Sequence, residues 1–322
     1  MRHLLIKGAA QAAIVVVSML GTVLAGAAGG FIETDLRANK SPLTDGNGIV
    51  HTAPVDANLV NPWGIATSTS SPFWVSDNNS GLATLYNSNG VPQALVVSIS
   101  LPGAPLGNRG APTGAVFNIA QSLNAFPISG VDKNGKPTMA PAVFLFATED
   151  GTILGWNPAV HPVGDPNLTS TSTHAIIAVD RSTVGAGAVY KGLAIATDSL
   201  GVTRLYATNF RAGTVEVFNT NFTLITPPGG FTDPKLPQGY APFDIFPIGS
   251  ATLPATAATL VVTYAVQDAA KHDDVAGESH GIVNTFDLGG QSFQRLIQHA
   301  SSIRRGALRS RRRASEHSPA HC

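Results

Sequence analysis

The chain has 322 residues, only 12% of them charged, with 33 glycines and 22 prolines. That balance suits many short strands joined by tight turns and argues against a helical protein. The formal net charge is zero, but six arginines (Arg304, Arg305, Arg309, Arg311, Arg312 and Arg313) fall in the last twenty residues. Without residues 303–322 the count is 14 basic against 19 acidic. This mildly acidic body argues against nucleic acid as a natural partner. The single cysteine, Cys322, excludes an internal disulfide and a thiolate zinc site.

The first segment, 1–28, opens on Met1-Arg2-His3 with Lys7, continues as an apolar run from Ala9, and closes on Ala25-Gly26-Ala27-Ala28. Basic start, apolar middle and small residues are the order of a secretory signal. The expectation is a secreted or periplasmic bacterial protein with no membrane span after cleavage. The alternative is a retained anchor, since the run approaches the roughly 20 residues that span a bilayer.

Residues 29–60 form an N-terminal segment, and 61–299 repeat one layout four times. The first unit runs Asn61-Pro62-Trp63-Gly64-Ile65-Ala66, Phe73 to Asp77, Gly81 to Tyr86, and Ala94 to Ile99. The second runs Pro112 to Phe117, Val143 to Asp150, Gly151 to Trp156, and Ala175 to Val179. The third runs Lys191 to Ile195, Arg204 to Asn209, Gly213 to Phe218, and Thr223 to Thr226. The fourth runs Pro242 to Phe246, Thr259 to Ala265, Gly281 to Phe286, and Ser292 to Ile297. Aligning Gly64, Gly114, Gly192 and Asp244 gives spacings of 50, 78 and 52, the long one holding extra loops at about 118–141 and 158–174. Four strands per unit at a period near 50 predict an all-β fold, a β-propeller of four-stranded blades. A β-sandwich also has short alternating strands but would not repeat this order. Glycine and alanine suit inner strands crowded about a channel. Tyr86, Trp156, Phe218 and Phe286, each ending a third strand, are expected to pack between sheets.

The segment Asn58-Leu59-Val60-Asn61-Pro62-Trp63-Gly64-Ile65-Ala66, with Trp74-Val75-Ser76-Asp77-Asn78 and the Tyr264–Gly281 loop containing Lys271-His272-Asp273-Asp274, resembles an uncharacterised bacterial family of exported NHL-like β-propellers. The resemblance covers roughly residues 31–299. It implies about six blades, so the four present would leave the ring incomplete. It also implies a closing strand near the mature N-terminus, for which Phe31–Arg37 alternates suitably. It carries no activity with it. More distantly, NHL repeats occur in interaction modules and in lactonase-like hydrolases and lyases, an analogy of fold alone.

The second strands end at Asp77-Asn78, Glu149-Asp150, Asn209 and Gln267-Asp268, and blade geometry is expected to send these ends to one face. The candidate metal or ligand residues are therefore Asp77, Asp150 and Asp268, with His272, Asp273 and Asp274 in the most polar loop. Hard oxygen donors suit Ca²⁺ or Mg²⁺. The competing reading is that Asp and Asn merely make the turns. No cofactor motif is present, and no catalytic residue can be assigned. The expected function is a binding or scaffold module for a protein, carbohydrate or small molecule. The alternative is a metal-dependent, lactonase-like hydrolase or lyase at the channel mouth.

At 300–322 the composition turns arginine-rich and loses its strand pattern. Two readings stand: a basic tail for anionic polymers or lipids, or out-of-frame residues in place of further blades.

Overall fold

The computed structural model describes residues 34–44, 48–249, 259–291 and 293–297. The expectations for segments 1–28 and 300–322 lie outside the described residues. The strands below all belong to the unit that begins at Leu36.

A two-stranded ladder comes first, β1 (Leu43–Thr44) with β2 (Val50–His51). Blade 1 follows: β3 (Pro62–Ala66), β4 (Phe73–Asp77), β5 (Leu82–Tyr86) and β6 (Pro92–Ile99). Blade 2 is β7 (Pro112–Phe117), an inserted hairpin of β8 (Pro127–Val131) and β9 (Pro137–Pro141), then β10 (Phe144–Thr148), β11 (Thr152–Trp156) and β12 (His174–Asp180). Blade 3 is β13 (Tyr190–Thr197), β14 (Thr203–Asn209), β15 (Thr214–Phe218) and β16 (Leu224–Ile225). Blade 4 is β17 (Tyr240–Ile248), β18 (Thr259–Val266), β19 (Gly281–Phe286) and β20 (Gln294–Ile297). Each blade is an antiparallel meander, the hairpin in blade 2 standing outside its ladder. The outer strands of blades 1 and 2 are also joined in parallel, His174 facing Ser98 and Ala175 facing Ile99.

The inner strands β3, β7, β13 and β17 adjoin in order, and glycine makes this possible. A methyl group on Gly64 would overlap the Thr113 carbonyl. One on Gly114 would overlap the Leu193 amide, and one on Gly192 the Cα of Asp244. Hydroxyls bind neighbouring blades: Thr113 Oγ1 donates to Tyr190 O at 2.9 Å, and Thr208 Oγ1 to Phe243 O at 2.7 Å. Three apolar layers fill the blade interfaces. Trp74 stacks on Phe144 with ring centroids 4.3 Å apart between blades 1 and 2. Tyr190 and Leu205 lie between blades 2 and 3. Tyr206, Phe231 and Phe286 lie between blades 3 and 4. All four third-strand aromatics are buried, as expected of core packing.

Four blades are present among the described residues, against six implied by the resemblance. Blades 1 and 4 meet through the rings of Trp63 and Phe243, 5.6 Å apart. The 118–141 insertion holds the β8–β9 hairpin and a short 3₁₀ turn, Gln121–Leu123, rather than a plain loop.

The closing-strand expectation for Phe31–Arg37 is not met in its described part: residues 34–37 are not in a strand. Instead the described residues 36–44 and 48–60 form a strap that bonds the face of blade 1. Arg37 Nε donates to Gly90 O at 2.9 Å, Tyr86 OH to Asp56 Oδ2 at 2.8 Å, and Ser80 Oγ to Asn58 O at 2.7 Å.

Candidate functional site

Side chains from all four blades converge beside the start of β13. Lys191 is the second residue of that inner strand, and its side chain is only 1% exposed. A buried ammonium must be paired, because desolvating an isolated charge is prohibitive. The Lys191 ammonium pairs with Glu149 of blade 2 and with Asp273 Oδ1 of blade 4, the latter at 3.2 Å. Its remaining surroundings are aromatic: the centroids of Trp63, Phe210 and Phe243 lie 5.1, 5.8 and 5.9 Å from Nζ. Each π face attracts the cation where water is absent. Asn78 of blade 1 donates to the second Glu149 oxygen at 2.9 Å. His272 Nδ1 lies 3.2 Å from Asp273 Oδ1.

These contacts set the charges. Burial alone would raise the Asp273 carboxyl, but the Lys191 ammonium and then His272 outweigh it and hold it below the usual range. Asp150 moves the other way: burial raises it, the amide of Ala111 donating at 2.6 Å opposes this, and neighbouring Glu149 adds to the rise. Asp150, Glu149, Asn78 and Arg109 line an open cleft of about 470 Å³ beside the cluster.

The sequence candidates divide. His272 and Asp273 are in the cluster and Asp150 is on its rim. Asp268 makes its own turn, accepting from the amide of His272 at 2.8 Å. Asp274 is exposed and joins only a backbone bridge to Gln267. Asp77 points to the opposite face of blade 1, where it is fully buried and accepts from the Thr84 hydroxyl at 2.7 Å. Asn78 and Glu149 were among the second-strand ends expected to share a face, though not put forward as ligands, whereas Lys191 and the three aromatic rings were not singled out as site residues. A signal for Lys191 existed, since it is the one charge in the apolar run Val189–Ile195.

One atom each from Glu149, His272 and Asp273 lie within 4.8 Å of one another, a spacing open to a metal ion. Both Glu149 oxygens are already engaged, however, and the Lys191 ammonium stands where a second cation would be repelled.

The class of protein defined by these blades is a β-propeller. No family model matches the chain. It is similar to two uncharacterized proteins of Acanthamoeba polyphaga mimivirus. One is 27% identical over 248 residues, covering 76% of this chain and 53% of the relative. The other is 31% identical over 203 residues, covering 61% and 46%. The chain thus spans about half the length of the curated relatives it matches, and these relatives are viral rather than bacterial. Among solved structures it is similar to virginiamycin B lyase from Staphylococcus aureus, with 11% identity, a TM-score of 0.36, and 81% of this chain and 77% of that chain covered. It is also similar to the PQQ-bound aldose sugar dehydrogenase from Streptomyces coelicolor, with 13% identity, a TM-score of 0.28, and 77% and 84% covered. Likeness at this level carries no argument about activity.

Proposed function

We propose that this chain is an exported propeller of the NHL-like kind, acting as a binding or scaffold module whose ligand engages the mouth built around Lys191. One observation carries the reading: the converging carboxylates are already neutralised by a lysine of the chain itself. The result is a fixed platform of Trp63, Asn78, His272 and Asp150 rather than an open metal centre. Flat aromatic and fixed polar groups suit a carbohydrate, a small molecule or a protein loop.

The test uses fluorescence, because Trp63 borders the mouth while Trp74 and Trp156 are buried. Titration with soluble oligosaccharides and short peptides is expected to give a saturable change that Trp63→Phe removes. The second reading, a divalent-metal hydrolase or lyase, is favoured by the Glu149–His272–Asp273 spacing. One bound Mn²⁺ or Ca²⁺ per dialysed chain, lost in His272→Ala, would favour that reading over the first. Export has its own check: the secreted chain is expected to begin within a few residues of Ala28 on N-terminal sequencing. Among the described residues no helix is long and apolar enough to cross a membrane.

A further inference from the structure

The strap and the face it covers enclose a carboxyl group that the mouth does not use. Asp77 ends β4 and is 0% exposed. Its Oδ2 accepts from Thr84, but its Oδ1 has no hydrogen-bond partner. From the strap side the charged group facing it is Asp56, whose carboxylate accepts from the Tyr86 hydroxyl and from the Asn58 amide at 2.9 Å. From its own sheet the facing polar side chains are Thr84 and Tyr86, both neutral. A bare anion with an empty oxygen, set against a second anion, is the costliest state of such a site. The arrangement therefore favours the neutral, protonated carboxyl over the bare anion.

We propose that the strap, residues 36–44 and 48–60, is latched onto blade 1 by the protonated carboxyl of Asp77, and that loss of this proton loosens it. The latch stands whatever the mouth binds. Burial, and then the charge of Asp56, push Asp77 up to about 7 despite the Thr84 hydroxyl. The sign follows. A carboxyl raised in the latched state binds its proton more tightly there than in the open state. Latching is therefore favoured in acid, weakens as pH rises past the ordinary carboxylate value, and stops weakening above about 7. The strap leads directly into Asn61, whose amide donates to Asn78 Oδ1 at 3.2 Å, and Asn78 holds Glu149. A loosened strap thus reaches the mouth through two hydrogen bonds.

Hydrogen exchange of residues 36–44 and 48–60, corrected for intrinsic rates, tests this in the full chain. Strap opening is expected to rise roughly thirtyfold between about pH 5.5 and about pH 8.5, while β14 and β15 stay protected. In Asp77→Asn the strap is expected to stay protected at both. Should that variant fail to fold, Asp56→Asn removes the opposing charge and is expected to move the step to lower pH. Equal strap protection at both pH values, a rise kept in Asp77→Asn, an unmoved step in Asp56→Asn, or loosening shared with β14 and β15 would each overturn the latch.

Discussion

Replacing Lys191 with methionine is expected to destabilise the fold by about 3–5 kcal/mol, the usual cost of removing one partner of a buried ion pair. Methionine nearly matches the lysine stem in length and keeps its apolar packing, so the loss reports on the charge. Glu149 bears most of it, with its side chain 11% exposed, whereas Asp273 is 66% exposed and can turn to water. The three surrounding rings also lose a cation worth about 0.5–2 kcal/mol in such settings. Urea unfolding at neutral pH measures the change. The double variant Lys191→Met with Glu149→Gln is expected to recover more than half of it, because no uncompensated charge then remains. A single variant within about 1 kcal/mol of the parent would mean that the ammonium does not hold the mouth together.

The repeat was legible because blade architecture rests on local signals. Alternation, turn residues and an aromatic at the end of each third strand recur at a fixed spacing, and each needs only its own hairpin. The site was half legible for the opposite reason. Asp77, Asp150 and Asp268 look equivalent in sequence, but side chains in a strand alternate faces, so a one-residue offset between strand end and turn reverses direction. Asp77 is the last residue of β4 and shares a face with Thr84 and Tyr86, under the strap. Asp150 lies past the end of β10, in the turn, and reaches the rim. Lys191 depends on partners 42 and 82 residues away, and no local pattern reports such a meeting. The strap escaped notice because it binds through single hydrogen bonds, donated by Arg37 and accepted by Asp56 and Asn58, rather than through a strand-like alternation.

The inner strands allow the sharpest contrast between two glycines. Gly114 lies in β7 with ordinary backbone angles, but a methyl group there would overlap the amide nitrogen and Cβ of Leu193 and the carbonyl carbon of Gly192. None of those atoms can yield easily. Leu193 is laddered to Ala207 of β14, and the neighbouring Thr113 hydroxyl bonds the Tyr190 carbonyl. Overpacking in cores costs about 1–3 kcal/mol when side chains can repack, and here the obstacle is backbone. Gly114→Ala is therefore expected to cost at least about 3 kcal/mol, and Gly114→Val more, by prying blade 2 from blade 3. Gly281 opens β19 with nothing within 4 Å of its missing Cβ and no left-handed angle. Gly281→Ala is expected to stay within about 0.5 kcal/mol of the parent, or to gain slightly from a stiffer unfolded chain. Thermal unfolding of the two variants side by side decides the matter. Equal, small shifts for both would mean that the inner strands are not held in backbone contact, and the order of blades about the channel would have to be redrawn.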